Sequence, residues 1–403
     1  MTTVTSRPPV SWIRLLALFT AAGFVETVFF GQLNAFTPLY LPRLGIAPLR
    51  VPTWTGALAA ISMAVGIPFL PFWGALAERY ARQPIIVRSF VAHLAAAVGM
   101  LLAGNIWVFV IGRSLTSMAL GSSGLMMTTL SERAPQERLG LAFSIMNAAP
   151  PVGAFVGPLL SGPLVDAWGF PALLLIDSIL MLIVILALTF GYRDTFRGTN
   201  RGPLLSTAME SVRFIWNSGR LRALFTALFL LFAGWMLAMT YAALAIMALY
   251  HGEEPGTAVG AVLGAGGLTA LVLSPILGAL ADRFGHWRAL IAGAAVAVLL
   301  WPLPLFAPEL VSFGIAWALI NGLVSAVFAV SFTVLSTSAP SESRGRVMSF
   351  AYLPVNVGYM VGPAIGSVVT RGSVFAIFPS AAVLTALGIG VVWIAARQAV
   401  EGI

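Results

Sequence analysis

No cysteine occurs in the 403 residues, so disulfides, thiolate-bound zinc and thiol nucleophiles are excluded. Lysine is missing too. Every one of the 22 basic residues is arginine, which removes a phosphate-loop lysine and a Schiff-base lysine. Histidine is scarce, and His93, His251 and His286 lie too far apart to suggest a metal site. Charge of either sign is sparse: charged residues make up 9% of the chain, against about 25% in soluble domains. That is too few to solvate an ordinary surface. In their place stand 59% hydrophobic residues in long runs, which implies helices facing lipid. In a soluble protein the net charge of +8 would suggest nucleic acid. Here it reads as arginine-rich loops on one side of a membrane, with no nucleic-acid partner and no cofactor.

A bilayer-spanning helix needs about 20 mostly apolar residues. Candidates fall at 13–40, 52–76, 84–103, 105–130, 139–165, 169–191, 221–249, 257–280, 287–306, 309–335, 346–369 and 373–396. Prolines within them are no veto, because neighbouring helices can satisfy the freed carbonyls. Arg7 and Arg14 precede the first run without a small-residue cleavage site, which reads as an uncleaved first helix. With both termini in the cytoplasm, 18 arginines lie on that side. Three (Arg43, Arg50, Arg371) lie outside, and Arg113 lies within a span. This bias supports the orientation and an even number of spans. The one long polar connection, 192–220, holds five arginines. Part of it, around Leu204–Trp216, reads either as an amphipathic helix on the anionic inner leaflet or as a solvated linker.

The chain repeats itself. Leu130-Ser131-Glu132-Arg133-Ala134-Pro135, running on to Gly153-x-x-x-Gly157-Pro158, returns 205 residues later. The second copy is Leu335-Ser336-Thr337-Ser338-Ala339-Pro340, then Gly358-x-x-x-Gly362-Pro363. Gly74-Ala75-Leu76-Ala77-Glu78-Arg79 returns after 204 as Gly278-Ala279-Leu280-Ala281-Asp282-Arg283. Two matches at nearly one offset indicate a duplicated unit of about 200 residues. The expected fold is therefore an all-α membrane protein of about twelve transmembrane helices in two pseudo-symmetric six-helix bundles. The bundles are 1–192 and 221–403, joined by a cytoplasmic linker over 193–220.

Two parallel six-helix repeats joined by a basic loop resemble the major facilitator superfamily. Its loop between helices 2 and 3 reads Gly-x-Leu-Ala-Asp-Arg-x-Gly-Arg-Lys. Gly74, Leu76, Ala77, Arg79 and Arg82 fit it, while Glu78, Ala81 and Gln83 depart. The second copy keeps Gly278, Leu280, Ala281, Asp282, Arg283 and Gly285, with His286 in an arginine's place. Physically such a loop is a latch: an acid near the positive end of a helix in the other half, and near an arginine, holds one side shut. This makes Gly74, Glu78, Arg79, Arg82, Glu132, Asp282 and Arg283 gate candidates; the alternative is ordinary loop charge. Gly153, Gly157, Pro158 and Gly162 in the fifth span resemble the family's antiporter motif. Gly358, Gly362 and Pro363 repeat it in the eleventh, so it can equally be a packing device. The first half is most similar to bacterial multidrug exporters of the twelve-helix drug:proton antiporter type, through Pro38-Leu39-Tyr40, Trp54-Thr55-Gly56, Pro71-Phe72-Trp73-Gly74 and Asn105-Ile106-Trp107.

Ionisable groups inside a membrane are functional candidates by default, and three qualify: Glu26 in span one, Arg113 in span four and Asp177 in span six. Arg113 stands where the family has its span-four arginine, with Ser117 at the usual glycine four residues on. Spans 1 and 4 line the family's cavity, so Glu26 and Arg113 are expected to face it together, with Glu26 taking the coupling proton. The alternative is a static Arg113–Asp177 pair. His93 reads as a packing histidine. Expected substrate contacts are Gln32, Asn34, Asn147, Trp235, Met236, Met239, Tyr241, Asn321, Phe328, Tyr352, Asn356 and Tyr359, because aromatics and methionine suit flat, apolar cargo. The resemblance implies a secondary transporter, not an enzyme, that exports lipophilic or cationic small molecules in exchange for protons. It would be a monomer surrounded by lipid in a bacterial inner membrane. A symporter or lipid transporter is the alternative within the fold. An intramembrane enzyme has no supporting constellation of nucleophile, base or metal ligands, and a non-transporting sensor is the remaining rival.

Overall fold

The computed structural model describes residues 11–69, 80–119, 122–192, 194, 213–339, 347–348 and 350–400, the last three as backbone only. Gly74, Glu78 and Arg79 lie outside these residues, as do most of the linker and residues 340–346. Among the described residues the chain is helical, without strands. Ten helical segments are long and apolar enough to cross a membrane. One of these, Leu139–Gly191, is 53 residues long and is broken at Gly169, whose φ of 78° is open to glycine but not to side-chain-bearing residues. It therefore supplies two crossings, α5 (139–168) and α6 (170–191).

A further crossing, α4, is made of shorter pieces: Ile106–Leu115, a 3-10 turn Thr116–Ala119, and Ser122–Ser131. The turn is tightened by its own hydroxyls. Thr116 Oγ1 donates to Arg113 O at 2.7 Å and Ser117 Oγ to Ser114 O at 2.8 Å, competing with the regular helical pattern. The other crossings are α1 (Trp12–Tyr40), α2 (Val51–Gly66), α3 (Arg82–Leu101), α7 (Gly219–Leu249), α8 (Pro255–Phe284), α9 (His286–Leu300), α10 (Leu310–Ser338), α11 (Tyr352–Val369) and α12 (Ile377–Val400). That makes twelve, near the expected boundaries. Residues 213–217 are helical, with Ile215 buried and Trp216 exposed.

Within 12–191, α1 packs on the α5–α6 segment and α3 on α4 and α6; within 219–397, α7 packs on α11 and α12 and α10 on α8 and α9. The two sets meet along two seams, α5 with α8 and α2 with α11. Glycine decides where. On α8, Gly256, Gly260, Gly264 and Gly267 face Gly162, Pro158, Leu159 and Phe155 of α5, so close that a Cβ would strike backbone. Gly56 of α2 likewise abuts Pro363 O of α11 and the Tyr241 hydroxyl. All of these contacts lie towards one end of the helices, the end away from Arg133, Arg138, Arg220, Arg222, Arg283 and Arg288. Towards the arginine-bearing face, residues 140, 141, 144, 145, 147, 148 and 150 of α5 and 272, 275, 276, 279 and 280 of α8 are exposed. The halves are thus joined at one face and part towards the basic one.

Candidate functional site

Helix α1 carries Glu26, Gln32, Asn34 and Thr37, and these polar groups reach three sets of partners, Asn34 and Thr37 sharing one. Ser122 of α4 donates its hydroxyl to Glu26, at 3.2 and 3.5 Å from the two carboxylate oxygens. Gln32 lies between α5 and α6. Its amide nitrogen donates to both oxygens of Asp177, at 2.7 and 2.8 Å, while its oxygen accepts from Ser161 Oγ at 2.6 Å; this orientation satisfies all three groups. Asp177 is 2% exposed and Gln32 5%. Further along, the guanidinium of Arg113 donates to Asn34 Oδ1 at 3.0 Å and Thr37 Oγ1 at 3.1 Å.

These are three separate stations. Asn34 and Thr37 lie eight and eleven residues beyond Glu26, about 12–16 Å along a helix. The expected neighbourhood of Glu26 and Arg113 is therefore not formed in this conformation. Nor is the alternative Arg113–Asp177 pair: each is held by neutral partners, and among the described residues no ion pair joins them. Sequence spacing does not encode the rotation of one helix against the next, which decides these partners. His93 is fully enclosed by Phe29, Phe30 and Phe90, with ring centroids 5.2–6.1 Å away. Neither ring nitrogen has a partner among the described residues.

The second half presents aromatic surface instead of charge. Phe232 and Trp235 of α7, Phe328 and Phe332 of α10, and Tyr352 and Tyr359 of α11 form one continuous cluster with ring centroids 4.8–5.7 Å apart. Trp235 Nε1 donates to Asn321 Oδ1 at 2.9 Å, which fixes the indole against α10. Met236 and Met239 pack beside the cluster. Phe232 and Phe332 were not among the expected contacts; their spacing of three and four residues from Trp235 and Phe328 is the signal that would have found them.

Other expected contacts lie elsewhere. Tyr241 is fully buried in the α2–α11 seam, its hydroxyl donating to Pro363 O at 3.0 Å. Gln32 and Asn34 are occupied by Asp177 and Arg113. Asn356 is buried on α11, and Asn147 is exposed on α5. Beside Asn147, Ile145, Ala148, Ala149 and Val152 face Phe24, Val25 and the preceding turns of α1 across an apolar hollow of about 570 Å³, within the usual range for small-molecule sites.

At the basic face Arg82 grips Glu132 with both terminal nitrogens, at 2.7 and 2.8 Å, and its backbone N–H donates to Asp194 at 2.6 Å. Gln83 donates to the carbonyls of Leu188, Thr189 and Tyr192. These bonds tie α3, α4 and α6 within one half. Asp282 near the end of α8 is paired with His286, the first residue of α9, at 3.0 Å, and Arg283 lies over the Phe284 ring. The glycine motifs act alike in both halves. Gly153 and Gly157 seat α5 on Thr27 and Val28 of α1, and Gly358 and Gly362 seat α11 on Ala233 and Leu237 of α7. Gly162 faces α8.

The family model described as Major Facilitator Superfamily matches residues 52–301 and 224–402. The chain is 28% identical over 373 residues to the multidrug resistance protein MdtG of Enterobacter lignolyticus, covering 91% of this chain and 88% of that one. It is 28% identical over 375 residues to MdtG of Yersinia enterocolitica, covering 91% and 89%. Among solved structures it is similar to the nucleoside transporter NupG, with a TM-score of 0.77 at 12% identity over 94% of this chain and 99% of that one. It is also similar to a bacterial homolog of the human lysosomal transporter Spinster in an inward-facing, unoccupied conformation, with a TM-score of 0.76 at 15% identity over 97% of each. With its twelve helices in two six-helix bundles, its duplicated loops and a family match spanning most of its length, this chain belongs to the major facilitator superfamily of secondary transporters.

Proposed function

We propose that this transporter exports lipophilic or cationic small molecules in exchange for protons. The observation that carries the reading is the setting of Glu26. It is an acid in the middle of α1, adjoining Phe24 and Val25 at the wall of the apolar hollow, with a single hydroxyl partner on α4 and no cation bonded to it among the described residues. A carboxyl so placed can take up and release a proton as access alternates. Its charge can also attract a cation into an otherwise apolar space. Arg113 and Asp177, bonded to the same helix, are assigned to the coupling path. The Trp235–Phe328–Tyr359 cluster with Met236 and Met239 is assigned to the cargo. Gln32, Asn34, Asn147, Asn321, Tyr352 and Asn356 stand around them.

The relatives named multidrug resistance protein support the cargo class. The arginine bias supports a cytoplasmic basic face in a bacterial inner membrane, both termini inside, and a monomer that moves its halves, 1–192 and 221–403, around the 193–220 linker. Arg82, Glu132, Asp282 and Arg283 would form the basic-face gate when that side closes. The test is efflux of a fluorescent lipophilic cation from proteoliposomes under an imposed pH gradient. Glu26→Gln should abolish gradient-driven efflux; normal gradient-driven rates in that variant would remove Glu26 from the mechanism.

A further inference from the structure

We propose that Asp166 is the releasable cap that holds the face opposite the arginines shut, and so positions the two halves for each turn of the transport cycle. The proposal rests on the chain being a two-half transporter, and it is independent of proton coupling or cargo. Helix α8 begins at Pro255, and its own N-cap residue, Glu254, makes no side-chain bond to the first turn. Proline has no N–H, so the first-turn donors left over are those of Gly256 and Thr257. Asp166 takes both. Its Oδ1 accepts from Gly256 N at 2.7 Å, and its Oδ2 accepts from Thr257 N at 2.6 Å and from Thr257 Oγ1 at 2.7 Å. A carboxylate at the positive end of a helix, accepting three short bonds, is a strong arrangement. The carboxylate comes from α5, in the other half of the molecule.

The neighbouring surfaces are cut to allow this. Gly162 rests on Gly256, Gly260 rests on Pro158 O, and a Cβ on Gly256 itself would lie 2.7 Å from Asp166 Oδ1. Parting α5 from α8 at this end must return the carboxylate to water and leave the first turn of α8 uncapped. Among the described residues the duplicated seam has no such device. At the repeat offset Asp166 corresponds to Arg371, and Pro52, which has no N–H, falls in the first turn of α2. One of the two seams is thus latched by charge, and the other, through Gly56, Gly366 and Tyr241, by packing.

The absence of cysteine makes the test direct. One spin-label pair, at Leu49→Cys and Val311→Cys, spans the mouth beside Asp166. A second, at Glu137→Cys and Phe284→Cys, spans the basic mouth. Distances are measured in nanodiscs without cargo or pH gradient. Asp166→Ala should shift the conformer ratio at least tenfold towards a long first distance and a short second one. Asp166→Asn, which keeps one acceptor oxygen and loses the charge, and Thr257→Ala should each shift it about threefold. Unchanged distributions in Asp166→Ala, or in both milder variants should the alanine protein not fold, would show that the cap does not hold this face shut and would overturn the proposal. Transport is not read here, so this result and that of the Glu26→Gln assay fail separately.

Discussion

Gly366 on α11 has no room for a methyl group. The three atoms nearest to a Cβ there all belong to the ring of Tyr241, with Cζ at 2.7 Å and Cδ2 at 2.8 Å behind the still closer Cε2. The ring cannot swing aside: it is 0% exposed, its hydroxyl is bonded to Pro363 O, and Gly56 of α2 closes the far side. Overpacking of this kind costs about 1–3 kcal/mol. Displacing the hydroxyl from its acceptor costs about 1 kcal/mol more, and the better helix propensity of alanine over glycine returns about 1 kcal/mol. Gly366→Ala should therefore destabilise by about 1–3 kcal/mol net. In a Tyr241→Ala background the obstructing atoms are gone and only the propensity gain remains. The same substitution should then be neutral or stabilising by up to about 1 kcal/mol. The two positions are coupled by about 2–4 kcal/mol, the overpacking and hydrogen-bond contributions together. Apparent melting temperatures of the four purified proteins in detergent test this, with Tyr241→Val in place of alanine if that variant is not recovered. A downward shift of equal size in both backgrounds would refute the packing argument.

Three further outcomes follow from the same geometry. Gln32→Leu leaves the enclosed Asp177 without its amide donor and should lower stability by about 1–3 kcal/mol, read as a fall in melting temperature that Ser161→Ala does not match. Glu132→Gln breaks the bidentate contact of Arg82, but half of the Glu132 side chain is in solvent, so the loss should stay below about 1 kcal/mol and shrink further in high salt. His93→Leu replaces two unpartnered ring nitrogens inside a phenylalanine cage. It should be neutral or stabilising by about 1 kcal/mol, with transport in proteoliposomes retained; loss of transport in a well-folded His93→Leu protein would give that ring a role beyond packing.

The parts of this molecule legible in the sequence are those governed by one-dimensional pattern. Apolar run length fixed the twelve crossings, because a bilayer sets a minimum length. The 205-residue repeat and the spacing of Gly153 and Gly157, or Gly358 and Gly362, named helix faces that do pack closely. What escaped depends on rotation about helix axes or on backbone donors. Gln32 meets Asp177, and Arg113 meets Asn34 and Thr37, through the angular setting of α1 among α4, α5 and α6, which no spacing rule encodes. Asp166 escaped the sequence reading because its partners, two backbone N–H groups and the Thr257 hydroxyl, have no signature beyond a proline and a glycine. The break in α4 was hidden for a similar reason: Thr116 and Ser117 act through carbonyls three residues back.

The repeat also shows how the two halves divide the work. The glycines that set helix–helix distance recur at one offset and serve the same neighbours, α5 on α1 and α11 on α7. The ionisable groups inside the membrane do not recur. At that offset Glu26 corresponds to Leu231, Arg113 to Ala318 and Asp177 to Ala382. Where the first half holds charge, the second holds Phe232, Trp235, Phe328 and Phe332. Duplication thus preserved the scaffold, in which a change of one methyl group is felt at the seams, and released the lining, in which residues can diverge once the helices are positioned. Under the proposed function, proton coupling rests on a carboxyl of the first half and cargo recognition on the polarisable rings of the second. Coupling and cargo recognition can then vary independently: substitutions around Trp235 should change which compounds move while leaving the dependence on Glu26 intact.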